Sequence, residues 1–317
     1  MSNPLPTVSV IAICYNHEKY LEESLQSVIN QTFKNIELII IDDCSTDNSR
    51  ERILKFCERY PTVKCLFSKS NVGNCRSFNQ ALKICTGQYI VDLSTDDVLM
   101  PNRIEKQVRK FEESDQVGIV TSNAIYIDED SKWLGNFHQK IELLPSGKFY
   151  EAVLKKTFIL PSTMMIRKSV LDTLEGYDET LAYEDFDFLV RSSRITEYAH
   201  LPLVLTMQRI VKGSHSQGFT KRKNRLTPST VKVCAKALAL NETESENQAL
   251  IKRLKVLLRQ CVFTENFIAG KKVVFMLLKL RGQNFQTQCF SLLIRLELPL
   301  NFLYLKYIMF RRFIRFL

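Results

Sequence analysis

Hydrophobic segments that end in acidic clusters dominate the first part of this chain. Ile36–Asp42 is a run of mostly branched aliphatic residues that leads into Asp43, and Gln88–Ser94 leads into Asp96 and Asp97. Such runs predict buried strands, and the helical spacing of apolar residues between them predicts helices. Carboxylates at the C-terminal ends of parallel strands lie where an open α/β sheet binds its ligand.

Strands and helices are expected to alternate through the first 127 residues. We predict strands at 7–13, 36–42, 63–68, 88–94 and 117–127, with helices at 17–31, 46–59, 74–85 and 101–113. The last strand is expected to continue into a hairpin near Trp133. Alternation with short loops predicts an α/β fold with a doubly wound, mostly parallel sheet of Rossmann-like type.

The elements are less regular further along the chain. We expect a strand at 158–167, a short helix at 169–174 and a helix at 185–193. Residues 213–225 mix small side chains with a basic run and mark a boundary, beyond which the pattern is helical. The sequence therefore predicts a domain at 1–216 and a helical C-terminal extension at 217–317.

Charge is unevenly distributed along the 317 residues, whose net charge is +10. Residues 1–204 contain 23 Lys and Arg against 29 Asp and Glu, whereas residues 205–317 contain 21 against 5. A basic segment of this kind predicts an anionic partner, either a membrane surface or nucleic acid. No nucleic-acid-binding motif accompanies it, so we expect a membrane surface and no nucleic acid.

The last 17 residues, 301–317, predict a basic amphipathic helix with Arg311, Arg312 and Arg315 on one side. Such a helix suits the interface of an anionic bilayer, and the alternative is that it packs on the rest of the protein.

No uncharged apolar run is long enough to predict a spanning helix. No secretory leader opens the sequence and its nine cysteines are scattered singly, so we expect a cytoplasmic protein that is peripheral on the inner face of the cell membrane.

The adjacent carboxylates Asp96 and Asp97 are expected in an exposed loop, where they predict a divalent-cation site. Adjacent carboxylates repel one another unless a cation or a hydrogen-bond donor neutralises them. Mg²⁺ or Mn²⁺ held by one or two carboxylates and by phosphate oxygens is the usual solution. The alternative interpretation is a solvated turn.

Two other acidic clusters are candidates for chemistry. Asp42 and Asp43 suit hydrogen bonds from a nucleobase and ribose, whereas Asp47 and Asn48 are explained by capping of the next helix. Asp185 is expected at a helix N-terminus, which favours an ionised carboxylate. An ionised Asp in a cleft can accept the proton of an attacking hydroxyl, and the alternative is an acidic first turn on the surface.

The order of these motifs resembles that of family-2 inverting glycosyltransferases of the GT-A fold. The resemblance covers about residues 6–216 and is carried by VSVIAICYN, ESLQSVINQTF, IELIIIDDCSTDNS, NVGNCRSFNQAL, GQYIVDLSTDDVLMPNRI and GYDETLAYEDFDFLVR. It implies that Tyr15 and Asp43 hold the nucleotide base and that the backbone near Ile13 lines the same pocket. Asp96 and Asp97 would bind the ribose and the Mn²⁺ or Mg²⁺ on the diphosphate.

The resemblance also implies that Asp185 is the catalytic base and that Glu184 shapes the acceptor pocket. Two departures concern the donor. Many relatives have an acidic residue at the position of Ser94, and many have an Arg where this chain has Phe78, so that Arg76 would contact the nucleotide instead. Arg209 and Lys212 are further candidates for contacts with the diphosphate.

The resulting hypothesis is a glycosyltransferase that moves a sugar from a nucleotide-diphosphate donor, expected to be a UDP-sugar, to a hydroxyl of a glycan or lipid-linked acceptor. Transfer would be metal-assisted and would invert the anomeric centre. One alternative is a nucleotide-sugar-binding protein without transfer activity, which the absence of an acid at Ser94 suggests. The other is a metal-dependent nucleotidyltransferase, because that class also uses carboxylates on an α/β sheet. The sequence identifies neither the sugar nor the oligomeric state.

Overall fold

The computed structural model describes residues 5–137, 147–156, 158–211 and 215–303. The chain forms two compact units. The first consists of Met1–Phe149, Phe158–Glu179 and Arg191–Val211, and the second of Tyr150–Thr157, Thr180–Val190 and Lys212–Leu317.

In the first unit, nine strands among the described residues form a single sheet. They are β1 (Val8–Cys14), β2 (Ile36–Asp42), β3 (Lys64–Phe67), β4 (Tyr89–Ser94), β5 (Val98–Leu99), β6 (Val117–Ile127), β7 (Trp133–Asn136), β8 (Met165–Arg167) and β9 (Glu197–Arg209). Their order is β3-β2-β1-β4-β8-β6-β9-β5, and β7 pairs with β6. The predicted α/β fold and the hairpin near Trp133 are confirmed.

The helices follow the strands in the predicted alternation. They are α1 (Leu21–Ile29), α2 (Ser49–Arg59), α3 (Asn74–Leu82), α4 (Arg103–Glu112), α5 (Tyr150–Lys155), α6 (Lys168–Thr173), α7 (Glu184–Ile195), α8 (Leu226–Leu240), α9 (Glu244–Phe263), α10 (Phe267–Lys279) and α11 (Phe285–Leu296).

The parallel half of the sheet places three strand ends in one row. β1 runs parallel to both β2 and β4, so that Cys14 pairs with Asp42 and Ile13 pairs with Ser94. All residues of β1 are buried, and α1 covers the sheet with Leu21 and its other apolar residues. Burial of each such side chain contributes about 1.5–3 kcal/mol, which fixes the register of the strands. The loops after β1, β2 and β4 therefore meet at one edge.

The sheet is less regular beyond β4. β8 is antiparallel to both β4 and β6, whereas β6 and β9 run parallel with register shifts near Ser122 and Asn123. The predicted strand at 158–167 is only Met165–Arg167, because Pro161 lacks a backbone N–H and begins a 3₁₀ turn at Pro161–Thr163. The sequence analysis did not identify β9 or α5.

The second unit is helical within its described residues, as predicted for the C-terminal part. Leu250, Leu254 and Leu258 of α9 are fully buried in its core. The Tyr150 hydroxyl of α5 donates hydrogen bonds to the Ala237 carbonyl and to the Asn241 side chain. Among the described residues, no helix is both long enough and apolar enough to cross a membrane. Residues 304–317, most of the predicted amphipathic tail, lie outside the described residues.

The cysteines are mostly core residues, with one exception that the sequence analysis did not anticipate. Cys57 of α2 and Cys65 of β3 form a disulfide bond. Five of the seven free cysteines are buried: Cys14, Cys75, Cys85, Cys234 and Cys261. Burial raises the pKa of the Cys85 thiol to about 11 and that of Cys234 to about 12, so both behave as small apolar side chains at neutral pH.

Glu37 lies at the end of the sheet opposite the acidic loops, where its side chain links three segments by hydrogen bonds. Its carboxylate accepts hydrogen bonds from the Lys64 ammonium, the Ser9 hydroxyl and the Thr86 amide. Burial acts to raise the pKa of Glu37, but these bonds outweigh it and lower the pKa from 4.5 to about 2. The ionised form is therefore favoured by folding, and its stabilisation is present above pH 4.5 and is lost as the pH falls toward 2.

We predict that Glu37→Gln lowers the free energy of unfolding by about 1–2 kcal/mol at pH 7, because hydrogen bonds to a charged acceptor are lost. The difference between parent and variant should shrink as the pH falls from about 4.5 to 2, which urea unfolding at several pH values measures. Glu51→Gln, which alters an exposed pair with Lys55, is the matched control and should change stability little. An unfolding difference that is independent of pH would contradict the role of the Glu37 charge.

Candidate functional site

The turn after β4 places its two carboxylates in different surroundings. Asp97 is 3% exposed, and its Oδ1 accepts the backbone N–H of Arg209 at 2.9 Å. Burial and the neighbouring charge of Asp96 raise the pKa of Asp97 well above its usual value of 3.8. The expectation of two exposed loop carboxylates is wrong for Asp97, because the turn folds inward against β9.

Asp96 is the more accessible of the two carboxylates. Its side chain is 18% exposed, and its Oδ1 accepts a hydrogen bond from the Ser94 hydroxyl. Its Oδ2 lies 4.0 Å from Nε2 of His17, which belongs to the loop after β1. Ser94, where an acid was expected from the resemblance, therefore orients Asp96.

The buried side chain of Arg209 stabilises the turn after β4 through hydrogen bonds. Its side chain is 1% exposed, and Nε donates to the Asp96 carbonyl at 2.9 Å. Its remaining donors reach the Asp128 carbonyl and the Ser131 hydroxyl at 2.9 Å and a Glu23 carboxylate oxygen at 2.7 Å. The hypothesis that Arg209 contacts a diphosphate is wrong, because its guanidinium is buried and donates its hydrogen bonds to other groups of the protein. Lys212, the other such candidate, lies outside the described residues.

Asp43, after β2, is also buried and held in place. Its two carboxylate oxygens accept the backbone N–H groups of Val72 and Gly73, each at 2.8 Å. Gly73 has φ +88°, a conformation that favours glycine. Each carboxylate oxygen has a second lone pair, so Asp43 retains capacity for a further donor.

The loop after β1 supplies the residues predicted to contact a base. Tyr15 is 42% exposed, so its ring is accessible for stacking. The Ile13 carbonyl accepts both the backbone N–H and the hydroxyl of Thr95, at 3.0 and 3.1 Å. The carbonyl is therefore already used inside the protein. Asn16 has φ +57°, and its side chain accepts the Thr46 N–H at 2.7 Å, which joins this loop to the one after β2.

The remaining acids after β2 have structural partners. Asp47 accepts the Ser49 N–H at 2.9 Å at the start of α2 and the Glu18 N–H at 3.0 Å, which agrees with its predicted capping role. The capping role predicted for Asn48 is wrong, because its side chain makes no capping hydrogen bond although it directly precedes α2. Asp42 is buried, and its Oδ2 accepts the Ser45 N–H at 3.2 Å.

Arg76 lies on α3, and its exposed side chain forms an ion pair with Glu179 at 3.2 Å. The neighbouring Asn79 donates to the carbonyl of Tyr177 at 2.9 Å, which fixes the chain next to Glu179. The partner of Arg76 in the structure is thus a carboxylate.

In the second unit, α7 begins at Glu184, so that Glu184 and Asp185 occupy its first turn. Both side chains are half-buried. The segment that leads into the helix is fixed by the Ser229 hydroxyl, which accepts the N–H groups of Ala182 and Tyr183 at 3.1 Å. Asp187, the other acid here, is fully buried and lies 2.7 Å from the ammonium of Lys236, which makes it an unsuitable general base.

The described residues contain no cluster of three or more His, Cys, Asp and Glu side chains that would enclose a metal ion by themselves. The donor set that suits a divalent cation is Asp96 Oδ2 together with the nearby Nε2 of His17. Such a pair leaves most of the coordination sphere to a ligand and to water, as is common for Mg²⁺. No local sequence pattern predicts this role for His17, because its ring partner Thr95 lies 78 residues away.

Comparison with known proteins identifies the family. The sequence model described as "Glycosyl transferase family 2" matches residues 9–175. An uncharacterized glycosyltransferase of Methanocaldococcus jannaschii is 31% identical over 189 residues, which are 59% of this chain and 64% of that relative. The match therefore spans slightly less than two thirds of that relative's length.

Two solved structures have the same fold. S. aureus TarS 1–349 in complex with UDP-GlcNAc has a TM-score of 0.68 at 17% identity, covering 92% of this chain and 88% of that TarS chain. Mannosyltransferase PcManGT from Pyrobaculum calidifontis, in complex with GDP-Man and Mn²⁺, has a TM-score of 0.59 at 16% identity, covering 90% and 78%. These similarities confirm the expected GT-A fold, and the family match extends over more than half of the chain. The chain belongs to glycosyl transferase family 2.

Proposed function

We propose that this protein transfers a sugar from a nucleotide-diphosphate donor, a UDP-sugar, to a hydroxyl of a glycan or lipid-linked acceptor with inversion. The observation that carries the proposal is the turn after β4, which presents Asp96 at an edge where the loops after β1 and β2 also meet. Carboxylates at this edge of an α/β sheet are placed to bind a nucleotide ligand. The structures of TarS with UDP-GlcNAc and of PcManGT with GDP-Man support the donor class.

The base of the nucleotide is assigned to Tyr15 and Asp43. The accessible Tyr15 ring offers a stacking surface, and the fixed Asp43 carboxylate accepts an N–H of the base or a hydroxyl of the ribose. The backbone at Ile13 is assigned to the lining of the same nucleotide pocket. The Arg76 guanidinium is assigned as a further contact with the nucleotide.

The divalent cation, Mn²⁺ or Mg²⁺, is assigned to Asp96 and not to Asp97. Asp97 is buried and its Oδ1 accepts the Arg209 N–H, whereas the Asp96 side chain is 18% exposed. A bound cation neutralises the diphosphate as it departs. The PcManGT complex with Mn²⁺ supports the use of a metal.

Asp185 is proposed as the base that accepts the proton of the acceptor hydroxyl, and Glu184 as a residue that orients the acceptor. Both lie in the first turn of α7, where the helix dipole favours an ionised carboxylate. Asp187 does not compete for this role, because it pairs with Lys236. We assign the catalytic part to residues 1–216 and the basic helical extension to residues 217–317.

Association with an anionic membrane is proposed for the exposed face of α10 and α11. The exposed side chains of these two helices include large apolar residues and cations. The apolar residues are Ile268, Phe275, Leu278, Phe285, Leu292 and Leu296, and the cations include Lys272, Lys279 and Arg295, whereas Lys271 pairs with Glu297. Interfacial binding gains from buried apolar area and from attraction to anionic lipid, and each basic residue near the surface contributes about 1 kcal/mol. The acceptor would accordingly be attached to the inner face of the cell membrane.

The first prediction made from the proposed function distinguishes the roles of Asp96 and Asp97. Asp96→Asn should abolish most of the thermal stabilisation that UDP with Mn²⁺ gives, while the melting temperature without ligands stays unchanged. Asp97→Ala should lower the free energy of unfolding by about 1–3 kcal/mol, because the Arg209 N–H loses its acceptor. Asp97→Asn keeps an acceptor oxygen and is the matched control. Loss of UDP and Mn²⁺ binding in Asp97→Asn but not in Asp96→Asn would reverse the assignment.

The second prediction concerns the reaction. A glycoside and a free nucleoside diphosphate should accumulate when the protein meets its donor and acceptor. Asp185→Asn should lower turnover by about 10² or more while donor binding persists, since only the base is removed. Asp172→Asn, an exposed acid of α6, is the control and should leave turnover unchanged.

Other products would indicate the alternative functions. A new nucleotide-sugar with pyrophosphate would indicate a nucleotidyltransferase, and tight donor binding without any product would indicate a binding protein. Near-parental turnover of Asp185→Asn would assign the base to another residue.

The third prediction concerns the membrane. The full chain should bind vesicles that contain phosphatidylglycerol, bind more weakly at high salt, and not bind neutral phosphatidylcholine vesicles. Phe275→Ser combined with Phe285→Ser should weaken binding about tenfold or more, because each buried Phe contributes about 1.5–3 kcal/mol. Leu54→Ser, at an exposed apolar position of α2, is the control. Equal binding of the double variant and the parent would exclude this face.

A further inference from the structure

Hydrogen bonds hold both the backbone and the ring of His17. Its backbone N–H donates to the Ser49 hydroxyl at 3.0 Å, and its carbonyl accepts the N–H groups of Tyr20 and Leu21 at 2.9 Å. Its side chain is 21% exposed, and its ring Nδ1 lies 2.9 Å from Oγ1 of the fully buried Thr95. Both the loop and the ring are therefore fixed before any ligand binds.

The ring Nδ1 of His17 contacts the Thr95 hydroxyl, which also lies 3.1 Å from the Ile13 carbonyl. When this hydroxyl donates to the Ile13 carbonyl, it accepts from Nδ1, and Nε2 of His17 then keeps a lone pair. A hydrogen bond of this kind on the far side of the ring sets the tautomer of histidines that ligate metals.

Nε2 of His17 lies near the carboxylate to which the cation is assigned. Nε2 of His17 and Oδ2 of Asp96 are 4.0 Å apart. Two ligands at bond lengths of about 2.1 Å lie about 3.0 Å apart when they are adjacent in an octahedron and about 4.2 Å apart when they are opposite. The observed separation of 4.0 Å falls between these values.

We propose that Nε2 of His17 is a ligand of the divalent cation, with Asp96 as the other protein ligand and Thr95 as the residue that positions the ring. The inference rests on the proposed function, which supplies the cation on the donor diphosphate. It has a consequence for the identity of the metal. An imidazole ligand favours later transition metals over Mg²⁺, so Mn²⁺ is bound more tightly than Mg²⁺.

The test uses Mn²⁺ as the probe, with UDP present, and observes the ion directly. Pulsed electron paramagnetic resonance of Mn²⁺ bound to the full chain should show coupling to a directly bound ¹⁴N nucleus. His17→Ala should remove that coupling and raise the Kd for Mn²⁺ about tenfold or more. Its effect on the Kd for Mg²⁺ should be smaller, and UDP binding without metal should stay unchanged.

Matched variants separate ligation from a general effect on the fold. Thr95→Val removes the hydroxyl that orients the ring and should weaken Mn²⁺ binding, whereas Thr95→Ser retains the hydroxyl and should restore it. His200→Gln removes another buried histidine, whose Nδ1 is likewise 2.9 Å from a threonine oxygen, and should preserve the nitrogen coupling. Unchanged melting temperatures without ligand confirm that a variant is folded.

The outcomes distinguish this inference from the proposed function. Nitrogen coupling that persists in His17→Ala overturns the inference. A parent protein that binds Mn²⁺ with UDP but shows no nitrogen coupling also overturns it, while the glycosyltransferase proposal stands. A parent protein that transfers sugar without binding a divalent cation overturns the metal assignment and this inference together.

Discussion

The buried guanidinium of Arg209 is the group on which the geometry of the turn after β4 depends. It donates to the carbonyls of Asp96 and Asp128 and to the carboxylate of Glu23, so one side chain joins β9, the β6–β7 connection and α1 to the turn. A buried cation is tolerated only when its donors are satisfied. Movement of the turn would leave donors unpaired at about 1–3 kcal/mol each, so the turn keeps one conformation.

A second buried guanidinium, that of Arg103, completes this arrangement. It donates to the Thr206 hydroxyl and to the Met164 carbonyl, and burial lowers its pKa to about 10, so that it stays charged at neutral pH. The positive charges of Arg103 and Arg209 favour the ionised form of Asp97, against burial and the charge of Asp96. Asp97 thus belongs to the interior of the fold, whereas the adjacent Asp96 belongs to its surface.

The parts of this structure that the sequence predicts are those with a simple local pattern. β2 and β6 were predicted to the residue, because β-branched residues predominate in both and polar residues flank them. The bonds of His17 to Thr95 and of Arg209 to Asp96 join positions 78 and 113 residues apart, and no local period encodes such contacts. An arginine at a strand end is usually solvated, so its hydrogen bonds show only in three dimensions.

The fixed carboxylate of Asp43 has an entropic consequence. A free side chain loses about 0.5–1.5 kcal/mol of rotational freedom when a ligand immobilises it. For Asp43 that loss is already incurred on folding, when the N–H groups of Val72 and Gly73 close on its two oxygens. Any ligand of Asp43 binds a preorganised acceptor. The left-handed backbone of Gly73 thereby helps to fix the acceptor geometry of Asp43.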